Sequence, residues 1–133
     1  MKLLGIDYGT ERIGVALGDT DVRVAVPFEA IDATALAAER IVAIGKQENI
    51  EIVVMGLPKN LQGQEGKSAS RARRLAEKIQ SLGMKIVFED ERFSTKEVER
   101  AMKEYGKAKR GIDKDAAAAA IILQTYIEKT SDK

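Results

Sequence analysis

The sequence contains neither cysteine nor histidine. The lack of cysteine excludes disulfide frameworks, cysteine-ligated zinc, iron–sulfur clusters and thiol catalysis. The lack of histidine excludes a Ser-His-Asp triad, histidine metal sites and the usual general base near neutral pH. Any catalysis by this chain must therefore use carboxylates, hydroxyls, lysine, arginine or a metal ion held by oxygen ligands.

Aromatic residues and long apolar runs are also scarce. There is no tryptophan, and three tyrosines and three phenylalanines are too few for an extended base-stacking platform. No apolar run approaches the roughly 20 residues that a membrane-spanning helix needs. The apolar stretch at the N-terminus is short and contains Asp7, unlike a signal peptide. We therefore expect a cytoplasmic protein that does not associate with membranes.

Charge of one sign is not in excess, since 22 Lys and Arg against 21 Asp and Glu give a net charge of +1. This balance argues against a simple polyanion-coating protein. It leaves nucleic-acid binding open, because divalent cations bound at a carboxylate site would add positive charge to the protein. With 133 residues, 44% of them hydrophobic, the chain fits one globular domain, which we assign to residues 1–133.

Hydrophobic patterning predicts alternating strands and helices after a three-strand start. Pro27 marks a break or an edge position in the third strand, and Gly83 is the expected C′ residue of the second helix. Ser94 and Glu97 form a capping box that begins the third helix. The predicted strands cover residues 2–7, 12–18, 22–31, 51–57 and 84–88, and the predicted helices cover 34–49, 68–82, about 94–105 and about 114–128. This order predicts an α/β fold in which an antiparallel meander and parallel strands share one mixed sheet, with helices on both faces.

Acidic residues occur where apolar segments end or begin. Asp7 closes the first strand, Glu89-Asp90-Glu91 closes the last one, and Asp115 opens the last helix. Each has a structural explanation: a turn for Asp7, a solvated strand end with Arg92 as counter-ion for the three acids, and capping and the helix dipole for Asp115. Together they could converge at one edge of the sheet, where oxygen ligands alone select Mg²⁺ or Mn²⁺. Two such ions, about 4 Å apart, support phosphodiester cleavage.

The five alanines at 116–120 fit this interpretation, although they also favour a helix by propensity alone. Small side chains would let the last helix approach the sheet closely and place Asp115 near Asp7. Basic residues lie nearby in sequence and could hold phosphates without reading bases, although a solvated surface is the simpler explanation. They are Arg71, Arg73 and Arg74 in the second helix, and Lys103, Lys107, Lys109, Arg110 and Lys114 around the loop before Asp115.

The chain resembles, nearly end to end, the YqgF/RuvX family of small bacterial proteins in the ribonuclease H-like superfamily. The matching blocks are GIDYGTERIGVALGD at 5–19, VVMGLPKNLQGQEG at 53–66, EDERFSTKEVERAM at 89–102 and DAAAAAIILQTYI at 115–127. The resemblance implies a five-stranded mixed sheet with flanking helices. It also implies a metal-dependent nuclease that acts on the 5′ end of precursor 16S ribosomal RNA or on Holliday junctions.

The same resemblance implies catalytic and metal-binding roles for Asp7 and Asp115. It takes the third acid from the DER motif at 90–92, where we favour Glu91, with Asp90 as the alternative. Strand alternation puts these two on opposite faces, and Glu89 shares the face of Glu91 but lies outside the motif. For nucleic-acid binding we single out Arg71, Arg74, Lys107, Lys109 and Arg110.

Three other hypotheses stay open at this point. Branched DNA could replace RNA as the substrate, and a resolvase would be expected to form a C₂ dimer, whereas we expect a monomer or a weak homodimer. Residues 7–10 and 14–16 also resemble the first phosphate loop of actin-type ATPases. Those ATPases bind the nucleotide between two such lobes, and 133 residues supply only one. Finally, the chain could be a non-catalytic RNA-binding factor in ribosome assembly.

Overall fold

The structure, a computed structural model, describes residues 1–58, 64–91, 100, 103 and 113–131. Five strands and three long helices are described within these ranges. The strands are β1 (Lys2–Asp7), β2 (Arg12–Asp19), β3 (Val24–Asp32), β4 (Ile52–Pro58) and β5 (Lys85–Glu91). The helices are α1 (Ala37–Gln47), α2 (Lys67–Ser81) and α3 (Lys114–Ser131). The predicted third helix and its capping box at Ser94 and Glu97 lie outside the described residues.

All five strands belong to one mixed sheet in the order β3-β2-β1-β4-β5. Strand β1 pairs antiparallel with β2, and β2 pairs antiparallel with β3. Strand β1 also pairs parallel with β4, which pairs parallel with β5. The predicted mixed sheet with an antiparallel meander is therefore confirmed.

Strand β3 forms one edge of the sheet and carries a bulge. Pro27 lies opposite Ala16, and Glu29 lies opposite Val15, so the register skips Phe28. Proline lacks an N–H group and is tolerated at an edge or a bulge, which confirms the prediction from Pro27.

Helices cover both faces of the sheet, because alternate residues of each central strand point in opposite directions. Leu4 and Ile6 of β1 pack in one core with side chains of α1 and α2. Leu3 of β1 and Val54 of β4 pack in a second core with α3. Strand β4 is buried from Val53 to Leu57, as its continuous apolar run predicts.

Several element boundaries differ from the predictions by one to three residues, and three of the differences have a visible local cause. Helix α1 begins at Ala37 rather than at 34, after a turn in which the Thr34 hydroxyl accepts a hydrogen bond from the Leu36 N–H group. Strand β3 begins at Val24 rather than at 22, because a turn with Arg23 at φ 59° precedes it. Strand β5 continues to Glu91, because parallel pairing with Gly56, Leu57 and Pro58 of β4 extends the ladder through the acidic residues.

Helix α2 ends as predicted. Gly83 follows it with φ 101°, a conformation that glycine adopts without steric cost, and donates a hydrogen bond to the Gln80 carbonyl at 3.0 Å. No helix within the described ranges is long and apolar enough to cross a membrane.

Candidate active site

Asp7 is the last residue of β1 and is half-buried. Strand alternation places it on the same face as Leu3 and Gly5, which is the face covered by α3. Its partner across the β1–β2 hairpin is Gly14. Paired residues in adjacent antiparallel strands have Cα atoms about 4.5–5.5 Å apart. Whatever contacts Gly14 on this face therefore lies beside Asp7.

The residue that contacts Gly14 is Asp115, at the start of α3. A Cβ atom added to Gly14 would lie only 1.9 Å from the Asp115 carbonyl oxygen and 2.3 Å from its carbonyl carbon. The backbone of Asp115 thus rests directly on Gly14. The structure brings Asp7 and Asp115 to the same place, from segments more than 100 positions apart in the sequence.

Small residues along the interface allow this approach. All five alanines at 116–120 are buried. One turn further along α3, a Cβ atom on Gly5 would lie 3.0 Å from the Ala119 carbonyl oxygen. The close approach of the last helix to the sheet is therefore confirmed, and its cause is the lack of side chains at Gly5 and Gly14.

Asp113, rather than Asp115, caps α3. Its Oδ1 accepts hydrogen bonds from the backbone N–H groups of Asp115, at 2.7 Å, and Ala116, at 3.3 Å. The capping part of the explanation for Asp115 is thus wrong, and the Asp115 carboxylate is not used in the cap. Its position in the first turn of α3 still suits the helix dipole. The signal for Asp113 was available, since aspartate immediately before a helix is a preferred N-cap residue.

Arg12 is the cationic partner of these carboxylates. Its Nη2 lies 2.6 Å from Asp113 Oδ2, and its Nε lies 4.0 Å from Asp115 Oδ2. Arg12 is the first residue of β2, two positions before Gly14, so the hairpin that carries Gly14 also supplies this guanidinium. The sequence reasoning missed Arg12 as a site residue, because no local pattern links it to residues 113–115.

The three acids of β5 differ in their placement. Met55 of β4 pairs with both Ile6 and Phe88, so Asp7 and Glu89 follow at the same level, two strand spacings or about 10 Å apart. Glu89 is only 6% exposed and accepts a hydrogen bond of 2.5 Å from the Lys129 ammonium group of α3. This ion pair gives Glu89 a structural role.

Alternation along β5 distinguishes the other two acids. Val87 packs in the core under α3, so Glu89 and Glu91 are on the same face as Asp7 by register. Asp90 is on the opposite face with Phe88, over whose ring Arg73 of α2 lies at 5.0 Å. The backbone of Glu91 pairs with Pro58, and its side chain lies outside the described part of the chain.

A hard divalent cation fits the donor chemistry of this sheet edge. Asp7 and Asp115 contribute carboxylate oxygens, which Mg²⁺ and Mn²⁺ prefer. Among the side chains that the structure describes, no three acidic groups are arranged to hold a metal ion. The two aspartates therefore need the side chain of Glu91, or another ligand, to complete a site.

The predicted phosphate-binding residues fall into two groups. Arg71 and Arg74 are on α2, on the sheet face opposite α3, where they line a cleft together with Tyr8. Lys107, Lys109 and Arg110 lie outside the described residues.

The chain has a ribonuclease H-like fold. Fowlpox virus resolvase, solved in complex with Holliday junction DNA, superposes with a TM-score of 0.65 over 98% of this chain and 99% of its own, at 12% sequence identity. Thermus thermophilus RuvC, solved with a Holliday junction substrate, superposes with a TM-score of 0.59 over 98% and 97% of the two chains, at 14% identity. At such low identity the likeness establishes the fold alone.

The chain belongs to the RuvX family, described as Holliday junction resolvase, whose sequence model matches residues 1–129. A relative from Endomicrobium trichonymphae is 38% identical over 99% of both chains. Another from Novosphingobium aromaticivorans is 40% identical over 96% of this chain and 84% of its own. Both carry the name "Putative pre-16S rRNA nuclease". The resemblance noted in the sequence and the predicted nuclease class are thereby confirmed.

Proposed function

We propose that residues 1–133 form one nuclease domain that hydrolyses phosphodiester bonds in structured nucleic acid, at the 5′ end of precursor 16S ribosomal RNA. The observation that carries this proposal is the contact between Gly14 and the Asp115 backbone, which brings residue 115 next to Asp7 at the end of β1. The name of the full-length relatives supports the RNA substrate. We propose the cytoplasm as its location, because bacteria make and process this RNA there.

The proposed cofactor is Mg²⁺ or Mn²⁺, held by Asp7, Asp115 and Glu91, with Asp90 as the alternative to Glu91. Such an ion, when bound, polarises the phosphate and lowers the pKa of a coordinated water. These acids are also the proposed catalytic residues.

The chain's own contribution is to fix the backbone positions of Asp7 and Asp115. Asp7 is fixed by the β1–β2 ladder, and Asp115 is fixed by the cap from Asp113 and by the contact with Gly14. Arg12 offsets part of the negative charge at the start of α3, which lowers the repulsion between the acids and an approaching phosphate. We further propose that Arg71, Arg74, Lys107, Lys109 and Arg110 contact phosphates outside the cleaved bond.

Branched DNA is the second candidate substrate, because the family description and the two structural neighbours concern Holliday junctions. A resolvase cuts two strands symmetrically and is expected to act as a C₂ dimer. We propose a monomer or a weak homodimer, so a tight dimer in solution would favour the DNA alternative. A non-catalytic role in ribosome assembly would require that no substrate is cleaved.

The deciding experiment presents the purified protein, with Mg²⁺ or Mn²⁺, with three labelled substrates side by side: precursor 16S RNA, a four-way DNA junction and a plain duplex. We expect cleavage of the RNA near the mature 5′ end, and no cleavage by the Asp7→Asn variant, which retains the volume of the side chain but loses its charge. Preferential cleavage of the junction would select the resolvase alternative. Equal cleavage by Asp7→Asn would remove Asp7 from the site.

A further inference from the structure

A cleft of about 300 Å³ opens on the face of the sheet opposite α3, between α2 and the segments that follow β1 and β3. Its polar lining consists of Tyr8, Thr34, Arg71, Arg74 and Lys78, and the remaining lining residues are apolar. The candidate carboxylates are not among them. The cleft is therefore a separate feature from the candidate active site.

The charge of the cleft is one-sided. Arg71, Arg74 and Lys78 follow the i, i+3, i+7 spacing that puts residues on one stripe of a helix, and none of the described residues that line the cleft is acidic. Within the described part of the chain, none of the three forms an ion pair. Three cations that converge without a counter-ion favour an anionic ligand.

Arg73, on the same helix, shows what a structurally committed arginine looks like. Its guanidinium donates two hydrogen bonds to Glu65, at 2.7 and 2.8 Å, and lies over the Phe88 ring. The bond with Glu65 raises the pKa of Arg73 above its usual value. Arg71 and Arg74 lack such partners among the described residues, so their conformations are available to a ligand.

Tyr8 gives the cleft an aromatic wall. It is half-buried against the core on the α1 and α2 face and lines the cleft, and aromatic side chains are surfaces on which bases stack. A volume of about 300 Å³ lies at the small end of ligand pockets, which suits a single nucleotide.

Position links the cleft to the candidate active site. Tyr8 directly follows Asp7, and successive residues at the end of a strand point to opposite faces. The cleft and the carboxylates therefore lie on opposite faces of the sheet, at the same end of β1. A nucleic-acid strand that passes over the end of β1 can contact both.

We propose that this cleft binds one unpaired nucleotide of the substrate strand beside the scissile phosphodiester, with its phosphate on Arg71, Arg74 and Lys78 and its base against Tyr8. The identity of this strand as a substrate rests on the proposed function. The binding itself does not, since it requires neither cleavage nor a metal ion.

The test is a binding titration of the full chain with fluorescein-labelled single-stranded RNA in EDTA, measured by anisotropy over a range of salt concentrations. We expect Arg71→Ala/Arg74→Ala to weaken binding on the order of tenfold near 0.15 M salt, and to flatten the slope of log affinity against log salt by about 1.4. The matched control is Lys46→Ala/Lys85→Ala. It removes the same charge from a cleft at the start of β5 and should leave single-strand affinity within about twofold.

The aromatic wall is tested by Tyr8→Leu, which retains an apolar side chain against the core, and by Tyr8→Phe, which retains the ring. We expect Tyr8→Leu to weaken binding at least about fivefold and Tyr8→Phe to bind nearly as the wild type does. Equal binding by the Leu and Phe variants would overturn the stacking part of the proposal. Thermal melts of each variant separate lost binding from lost folding.

Two further probes define the ligand. Inorganic phosphate and AMP should compete for the cleft only at millimolar concentrations. If AMP binds as tightly as the RNA, the cleft is a mononucleotide site and the proposal fails. A blunt RNA duplex should bind more weakly than the single strand and should not distinguish the arginine variant from its control.

The outcomes separate this proposal from the proposed function. If the wild-type chain cleaves RNA but the arginine variant binds single strands as its control does, the cleft is not a nucleotide site while the nuclease assignment stands. If the arginine variant loses binding but the wild-type chain cleaves none of the substrates, the cleft is supported and the nuclease assignment fails.

Discussion

A substitution at Gly14 should displace Asp115 while both Asp7 and Asp115 stay chemically unchanged. The Gly14→Ala change places a methyl group where the Asp115 carbonyl group now lies, at 1.9 Å from the oxygen. Cβ atoms essentially never approach other heavy atoms closer than 3.0 Å, so the start of α3 must move away by about 1.1 Å. The contacted atoms belong to the backbone and cannot rotate aside as a side chain would.

This displacement should act mainly on the rate of cleavage. Misplacement of a catalytic group by about 1 Å costs on the order of 10²-fold in rate. The added methyl group should also lower the free energy of unfolding by about 1–3 kcal/mol, as overpacking does. The rate must therefore be measured well below the melting temperature of the variant.

Gly18→Ala is the matched control, because Gly18 is on the same strand and faces the same helix. A Cβ atom there would lie 2.8 Å from a Leu123 methyl group and 3.0 Å from an Ile127 methyl group. These side-chain ends can shift, and both are at least two helical turns away from Asp115. We expect a comparable loss of stability and a cleavage rate within about threefold of the wild type.

The assay is single-turnover cleavage with saturating enzyme, combined with urea denaturation of each variant. The expected result is that the two variants have similar stabilities but rates that differ by on the order of 10²-fold. Equal rates for the two variants would falsify the claim that the contact with Gly14 sets the position of Asp115.

Three further predictions concern the acidic residues. Glu91→Gln should reduce single-turnover cleavage far more than Asp90→Asn, since of these two residues only residue 91 shares the face of Asp7, and equal losses would contradict this assignment. Mg²⁺ at ten times its Kd should stabilise the wild-type fold by about 1.4 kcal/mol in a thermal melt, and a shift of the same size in Asp7→Asn would place the ion elsewhere. Lys129→Met should lower the free energy of unfolding by about 1–3 kcal/mol in urea denaturation, because it leaves Glu89 buried without its partner. No coupling with Glu89→Gln in a double-mutant cycle would refute that prediction.

Local sequence pattern was sufficient to predict most strands and helices of the described residues. The apolar run before Pro58 identified β4, and the apolar periodicity before Gly83 identified α2 and its end. Both signals are local, since each depends on residues within a few positions of one another. The starts of β3 and α1 and the end of β5 differ from the predictions because turns or ladder pairing override local preference there.

The sequence also determined that any metal site in this chain uses oxygen ligands, because it contains no histidine or cysteine. It placed Asp7 at a strand end and Asp115 in the first turn of a helix, and the small residues predicted that the two would meet. The catalytic and metal-binding roles of Asp7, Glu91 and Asp115, and the phosphate-binding roles of the basic residues, remain predictions.

Only the tertiary structure decided which polar groups are partners. Arg12 and Asp113 form an ion pair across 101 positions of sequence, and Lys129 reaches Glu89 across 40. The cleft likewise joins Tyr8, from the end of β1, to the cations of α2. Periodicity and capping rules cannot predict such pairs. The pairs depend on how the strands and helices are arranged when the two hydrophobic cores form. The physical reason is that hydrophobic patterning specifies which face of an element is buried, whereas the partner of a polar side chain depends on what the finished packing brings within hydrogen-bonding distance.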